Sequence, residues 1–121
     1  VYDYLLDRIE SCERAGIPRD RICVDPGIGF GKSLSHNLEL LSRLAIFHGL
    51  GCSILLGTSR KSFIGKIDPA ATPKERIGGS IASAINGWRH GVLHSLHTVR
   101  SEFIRGGNVV PFFGCECTVK A

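Results

Sequence analysis

At 121 residues the chain is long enough for one compact domain and too short for two. Its 43% hydrophobic and 21% charged residues are those of an ordinary soluble globular protein, and no apolar run approaches the roughly 20 residues that cross a bilayer. The formal net charge of +4 comes from scattered Lys and Arg with no interleaved aromatic platform, which fits anionic metabolites better than nucleic acid.

Five cysteines (Cys12, Cys23, Cys52, Cys115 and Cys117), odd in number and without framework spacing, point to reduced thiols and a cytoplasmic setting. The Cys115-x-Cys117 pair lacks the second Cys or His pair that a zinc finger needs. The opening residues are not expected to be a secretory leader. It begins in what reads as mid-helix and contains no Met, so a fragment or a processed product is expected.

In chain order, Leu5, Ile9 and Cys12 recur at helical spacing, and Gly16 stands where that helix ends. RICVD, Arg21 to Asp25, predicts a short buried strand. Ser35 is the expected N-cap of a helix running through HNLELLSRLAIFH, with Leu38, Leu41 and Ala45, and also Leu40, Leu44 and Phe47, on a broad apolar face. Gly49 and Gly51 stop it. CSILLG, Cys52 to Gly57, is apolar almost throughout, as a strand covered on both faces is. TPKE, Thr72 to Glu75, combines a capping box with Pro in the first turn and opens a helix carrying Ile77, Ile81, Ile85 and Trp88 on one side. A third strand is expected around VLHSLHTV, after Gly91.

The order α–β–α–β–α–β predicts an α/β fold, a parallel sheet with crossover helices. After Arg105 the pattern fails: GGNVVPFFGCECTVKA holds glycines, a Pro and a Cys-x-Cys where an amphipathic closing helix is due.

Two loops follow strands, at the rim where parallel α/β folds place their ligands. VDPGIGFGKSLSHN looks at first like a phosphate loop. A Walker A loop needs a Gly five residues before Gly31, but that position holds Pro26, and a dinucleotide fingerprint from Gly27 and Gly29 finds Lys32 at its third Gly. What remains is Asp25 at a strand end, stiffened by Pro26. Such an Asp can accept paired hydrogen bonds from the amino and ring N–H groups of a planar ligand, or act only as a turn or cap acid. Phe30 can stack on a flat ring or cover the core. In the second loop, LLGTSRKSFIGK, Ser59, Arg60, Lys61 and Ser62 directly follow a buried strand. A Lys there can donate to a carbonyl or ring nitrogen and an Arg can hold an anion, or the loop is a basic rim facing water.

DPGIGFGKS, GTSRKSFIG and ERIGGSIASA, in this order and spacing, resemble the second half of the dihydropteroate synthase family over residues 1 to about 90. The resemblance implies the C-terminal portion of a (β/α)8 TIM barrel, about strands six to eight with their helices. It divides the chain into a barrel part, 1–105, and an atypical tail, 106–121. It also implies an activity: p-aminobenzoate displaces pyrophosphate from the exocyclic CH2 of 6-hydroxymethyl-7,8-dihydropterin pyrophosphate, with Mg2+ bound to the pyrophosphate and its protein ligand outside this half. The family is cytoplasmic and homodimeric when complete. Carried onto this chain, Asp25 holds the pterin's amino and ring nitrogens, and Lys61 reaches the pterin ring and the p-aminobenzoate side. Phe30 and Ser59 border the p-aminobenzoate and sulfonamide pocket, and Gly57 floors the pterin site.

The last family strand carries Arg-x-His-Asp-Val, where this chain has Ser95-Leu96-His97-Thr98-Val99. His97 matches the family His, Ser95 stands at the Arg position and Thr98 replaces the Asp. A deletion or frameshift near residues 87 to 95 would explain this and the tail. The alternatives are a pterin-binding module of a folate-dependent methyltransferase, in which the SRKSFIG loop is not expected, and a non-catalytic remnant.

Overall fold

A computed structural model of the chain describes residues 1–92, 94–97, 102–105, 108–110 and 117–121, of which 94–97, 102–105, 108–110 and Cys117 are described in the backbone alone. Helix α1, Tyr2–Arg14, turns Leu5 and Ile9 fully inward. It ends as expected at Gly16, whose φ of +91° lets the next residue, Ile17, return its N–H to the Cys12 carbonyl at 3.0 Å. A 3-10 turn, Arg19–Arg21, leads into β1, Ile22–Asp25. The strand starts one residue later than predicted because Arg21 belongs to that turn, its N–H donating to the Pro18 carbonyl at 2.9 Å. All four β1 residues are buried, as a strand covered on both faces requires.

Two expectations for α2, Leu34–Ser42, need correction. Its N-cap is Ser33, whose Oγ accepts the His36 N–H at 3.1 Å; Ser35 lies inside the first turn with its Oγ 2.8 Å from that of Ser33. The long helix also breaks at Arg43, and Leu44–Leu50 wind as a 3-10 helix. The reason lies in the spacing of Leu41, Leu44, Phe47 and Leu50, which are 7%, 0%, 2% and 0% exposed. Apolar residues three apart share one face at three residues per turn, whereas an α-helix rotates them off it.

β2, Ser53–Gly57, follows, then a short helix α3, Ser62–Ile67. Half of the capping box forms: Thr72 N–H and Oγ–H both donate to Glu75 Oε2 at 2.9 and 2.6 Å, while the Glu75 N–H donates to the Thr72 carbonyl rather than its hydroxyl. It closes a separate turn, however, and α4, Ile77–Arg89, starts only after Arg76. Ile77, Ile81, Ile85 and Trp88 do share a side of α4, but that side faces outward. The inward side is made of small residues: a β-carbon on Gly87 would overlap Leu56 of β2, and one on Gly79 would overlap Ile64 of α3. Close approach of the backbone, rather than bulk, seats this helix. Asn86 ties it to α2 by donating to the Leu41 carbonyl at 2.8 Å.

The remaining strands are β3, His94–His97, β4, Glu102–Arg105, β5, Asn108–Val110, and β6, Cys117–Lys120, in a sheet ordered β5-β4-β3-β2-β1-β6. β1, β2 and β3 form the expected parallel arc with crossover helices. The expected third strand is β3; Leu93, Thr98 and Val99 of its predicted range lie outside the described residues. Strands from the end of the chain flank the arc on both sides. β4 and β5 run antiparallel beside β3, while β6 runs parallel to β1 with Val119 buried. Strand groups that a cut sheet would leave open are thereby paired.

The small-residue seat of α4 has a direct test in urea unfolding. Gly87→Ala destabilises by about 1–2 kcal/mol despite its better helix propensity, because the added methyl overpacks Leu56. Gly78→Ala, with open space around the new methyl, stabilises by up to about 1 kcal/mol.

Candidate functional site

β1 and β2 pair in parallel, Cys23 with Ser53 and Val24 with Ile54, so they end at the same rim and their outgoing loops lie side by side. In the first loop Asp25 is 7% exposed, and its Oδ1 accepts the Gly27 N–H at 2.8 Å. One carboxylate oxygen is thus the turn acid that sequence allowed as the alternative, while Oδ2 accepts no hydrogen bond from the described residues and keeps its capacity for a ligand. Phe30 is 50% exposed, so it does not cover the core.

Asn37 holds the crown of this loop. It is 2% exposed on α2, one turn before Leu41 on the same face, and its Oδ1 accepts the Gly29 N–H at 2.6 Å. Its Nδ2 donates to the Ser33 carbonyl at 2.7 Å and, more weakly, to that of Lys32. Lys32 itself folds back, its ammonium donating to the carbonyls of Gly27 at 2.8 Å, Phe30 at 3.2 Å and Ala121 at 3.4 Å.

The second loop carries backbone strain. Arg60 has φ +52°, a left-handed conformation uncommon for a residue with a β-carbon. It is held from α4: Ser80 Oγ accepts the Arg60 N–H at 2.8 Å, and Arg76 donates to the Arg60 carbonyl at 3.3 Å. That turn directs Lys61 back over the first loop. The Lys61 chain lies across Gly29, its ammonium donates to the Ile28 carbonyl, and it sits 4.2 Å from the Phe30 ring centroid. A β-carbon on Gly57 would be 3.6 Å from the same nitrogen. Gly29 has φ +83°, and any side chain there would also strike Lys61, so glycine is required twice over.

Burial pulls the Lys61 ammonium down from 10.5 to about 8, with Asp25 holding it up and Lys120 and Lys32 pressing it lower. Lys32 is lowered by the same burial, against the attraction of Asp25. Lys61 is therefore not part of a rim facing water.

Of the predicted residues, Asp25, Phe30, Gly57 and Lys61 come together. Ser59 is half-buried two residues from Lys61, and its hydroxyl makes no hydrogen bond among the described residues. His97 has its backbone in β3, opposite Glu102, and its side chain lies outside the described residues. Sequence reasoning missed Asn37, whose signal was an amide on the buried face of α2, and Lys120, which the chain order gives no reason to expect here. Lys120 lies opposite Asp25 in the β6–β1 register, with its ammonium 3.1 Å from the Phe30 centroid. Among the described residues no three His, Cys, Asp or Glu side chains are grouped so as to hold a metal. These residues alone do not fit a Mg2+ site.

Amine labelling across pH, read residue by residue, should give Lys61 a midpoint near 8 rather than the ordinary 10.5. Asp25→Asn removes the attraction and moves that midpoint lower, whereas Lys120→Ala removes a repulsion and moves it higher. A midpoint near 10.5 in all three proteins would contradict the buried placement of Lys61.

Known proteins share this chain's sequence and fold over much of its length. The sequence profile of the family described as pterin binding enzyme matches residues 1–95. Dihydropteroate synthase of Escherichia coli (strain K12) is 49% identical over 85 residues, 70% of this chain and 30% of that protein. The Bacillus subtilis (strain 168) enzyme is 42% identical over 92 residues, 74% of this chain and 32% of that protein. Xanthomonas albilineans dihydropteroate synthase, solved with 4-aminobenzoic acid, superposes with a TM-score of 0.75 at 38% identity over 79% of this chain and 35% of that one. A Yersinia pestis enzyme solved with a pterine-sulfa conjugate gives 0.74 at 36% identity, over 78% of this chain and 37% of that one. The chain thus spans about a third of the length of these relatives, its α/β arc being a portion of their TIM barrel. By its matched profile, its relatives and its fold, the chain belongs to the pterin binding enzyme family.

Proposed function

We propose that residues 1–105 are the pterin-holding part of a dihydropteroate synthase, a cytoplasmic transferase of folate biosynthesis, with 106–121 as a tail outside the family pattern. The observation that carries this reading is the meeting of Asp25 and Lys61 across two loops at one rim, with Phe30 and Gly57 beside them. Asp25 Oδ2 accepts no hydrogen bond from the described residues and suits the amino and ring N–H pair of a pterin. Lys61, protonated below about pH 8, donates to the ring. Phe30 and Ser59 border the p-aminobenzoate, and His97, by its match to the family His, would grip the leaving diphosphate.

In the reaction the p-aminobenzoate nitrogen bonds to the exocyclic CH2, the C–O bond to diphosphate breaks, and the amine gives up a proton. Loss of diphosphate leaves positive charge on the CH2 and the pterin. A buried carboxylate fixed on the ring stabilises that charge where it develops. Mg2+ would neutralise the departing diphosphate, its protein ligand lying in a part of the barrel that these residues do not supply. The complete protein is a homodimer in this reading; the outward stripe of Ile77, Ile81, Ile85 and Trp88 supports a surface that another element covers.

Calorimetry with 6-hydroxymethyl-7,8-dihydropterin pyrophosphate should show binding by the chain, weakened at least ~10-fold in Asp25→Asn, the scale of hydrogen bonds to a charged group. Equal affinity in that variant would remove Asp25 from the site. In a full-length version, Asp25→Asn or Lys61→Ala lowers turnover at least ~100-fold, the loss expected for a transition-state contact. The 121-residue chain on its own forms no dihydropteroate in a coupled assay with p-aminobenzoate; measurable product would show that the rest of the barrel is dispensable.

A further inference from the structure

Three ammonium groups converge on the first loop, and they differ in what they already hold. Lys32 donates to three carbonyls, those of Gly27, Phe30 and Ala121. Lys61 is tied to the Ile28 carbonyl and also lies over the Phe30 ring. Lys120 donates no hydrogen bond among the described residues; its described contact is the Phe30 ring, 3.1 Å from nitrogen to centroid. Its position is set by backbone. β6 pairs with β1 over four residues, Lys120 opposes Asp25, Val119 is buried beneath it, and the Ala121 N–H donates to the Asp25 carbonyl at 2.9 Å.

A flat ligand using the exposed ring of Phe30 therefore meets a cation with all its donors to spare. A neutral aromatic amide would displace the ammonium from the ring and offer it only an uncharged carbonyl oxygen in return. An aromatic acid can lie against Phe30 and exchange that cation–π contact for a charge-assisted hydrogen bond. We propose that Lys120, contributed by the tail strand β6, is a specificity-determining residue that selects an aromatic ligand bearing a carboxylate over its neutral isostere. This rests on the site proposed above and assigns to it a group from outside the family-matched residues, 1–95.

The test compares p-aminobenzoate with 4-aminobenzamide by calorimetry on the whole chain, with 6-hydroxymethylpterin present. Wild type should favour the acid by about tenfold, the scale of a charge-assisted over a neutral contact. Lys120→Gln should lose most of that preference while binding the amide as before, and Lys120→Arg should keep it. Lys120 is exposed, so the variants should melt as wild type does, which a thermal scan checks. An undiminished preference in Lys120→Gln, or equal loss of acid and amide, overturns the assignment. So does a wild-type chain that binds neither compound. In that case, binding of 6-hydroxymethylpterin alone shows the pterin site standing without Lys120's role, and its absence shows that the site reading itself has failed.

Discussion

The Lys61 side chain reaches the first loop by lying across Gly29, where a β-carbon would come within 2.7 Å of its Cδ. Most of the site depends on that crossing. It needs β1 and β2 to end at one rim, which their parallel register provides. It needs the first loop to present a bare backbone at its crown, which Asn37 secures by accepting the Gly29 N–H from inside α2. It also needs the second loop to double back, which the left-handed Arg60 achieves under restraint from Ser80 and Arg76. The strain is local, and the bonds that offset it come from the first turn and N-cap of α4, 16 to 20 residues further along the chain.

The electrostatics follow from the same packing. Burial first, and then repulsion from neighbouring ammonium groups, makes Lys61 and Lys32 easier to deprotonate than free lysines, against the attraction of the buried Asp25 carboxylate. A site built this way favours ligands that bring negative charge or hydrogen-bond acceptors to the lysines and N–H donors to Asp25. A pterin beside an aromatic acid meets both demands.

Much of this was legible in the residues. The strand–loop placement of Asp25 and Lys61 followed from short apolar runs ending in polar, glycine-rich segments, and both runs are strands. What escaped was governed by distance in the chain rather than by local pattern. The period of three in Leu41, Leu44, Phe47 and Leu50 is visible in the sequence, but it overlaps a helical pattern and only burial chooses between them. The shared side of the α4 isoleucines is legible, but its outward direction is not, because close packing on Gly79 and Gly87 seats the helix by its small residues. β6 could not be foreseen at all, since its partner lies about 95 residues upstream by the Ile22–Cys117 pairing.

The most direct examination is a crystal structure of the chain with 6-hydroxymethylpterin bound at pH 7. The arrangement described here predicts the pterin amino and ring N–H groups on the Asp25 carboxylate, with the Lys61 ammonium turned from the Ile28 carbonyl to the ring. A pterin bound away from Asp25, with Lys61 still on Ile28, would contradict it.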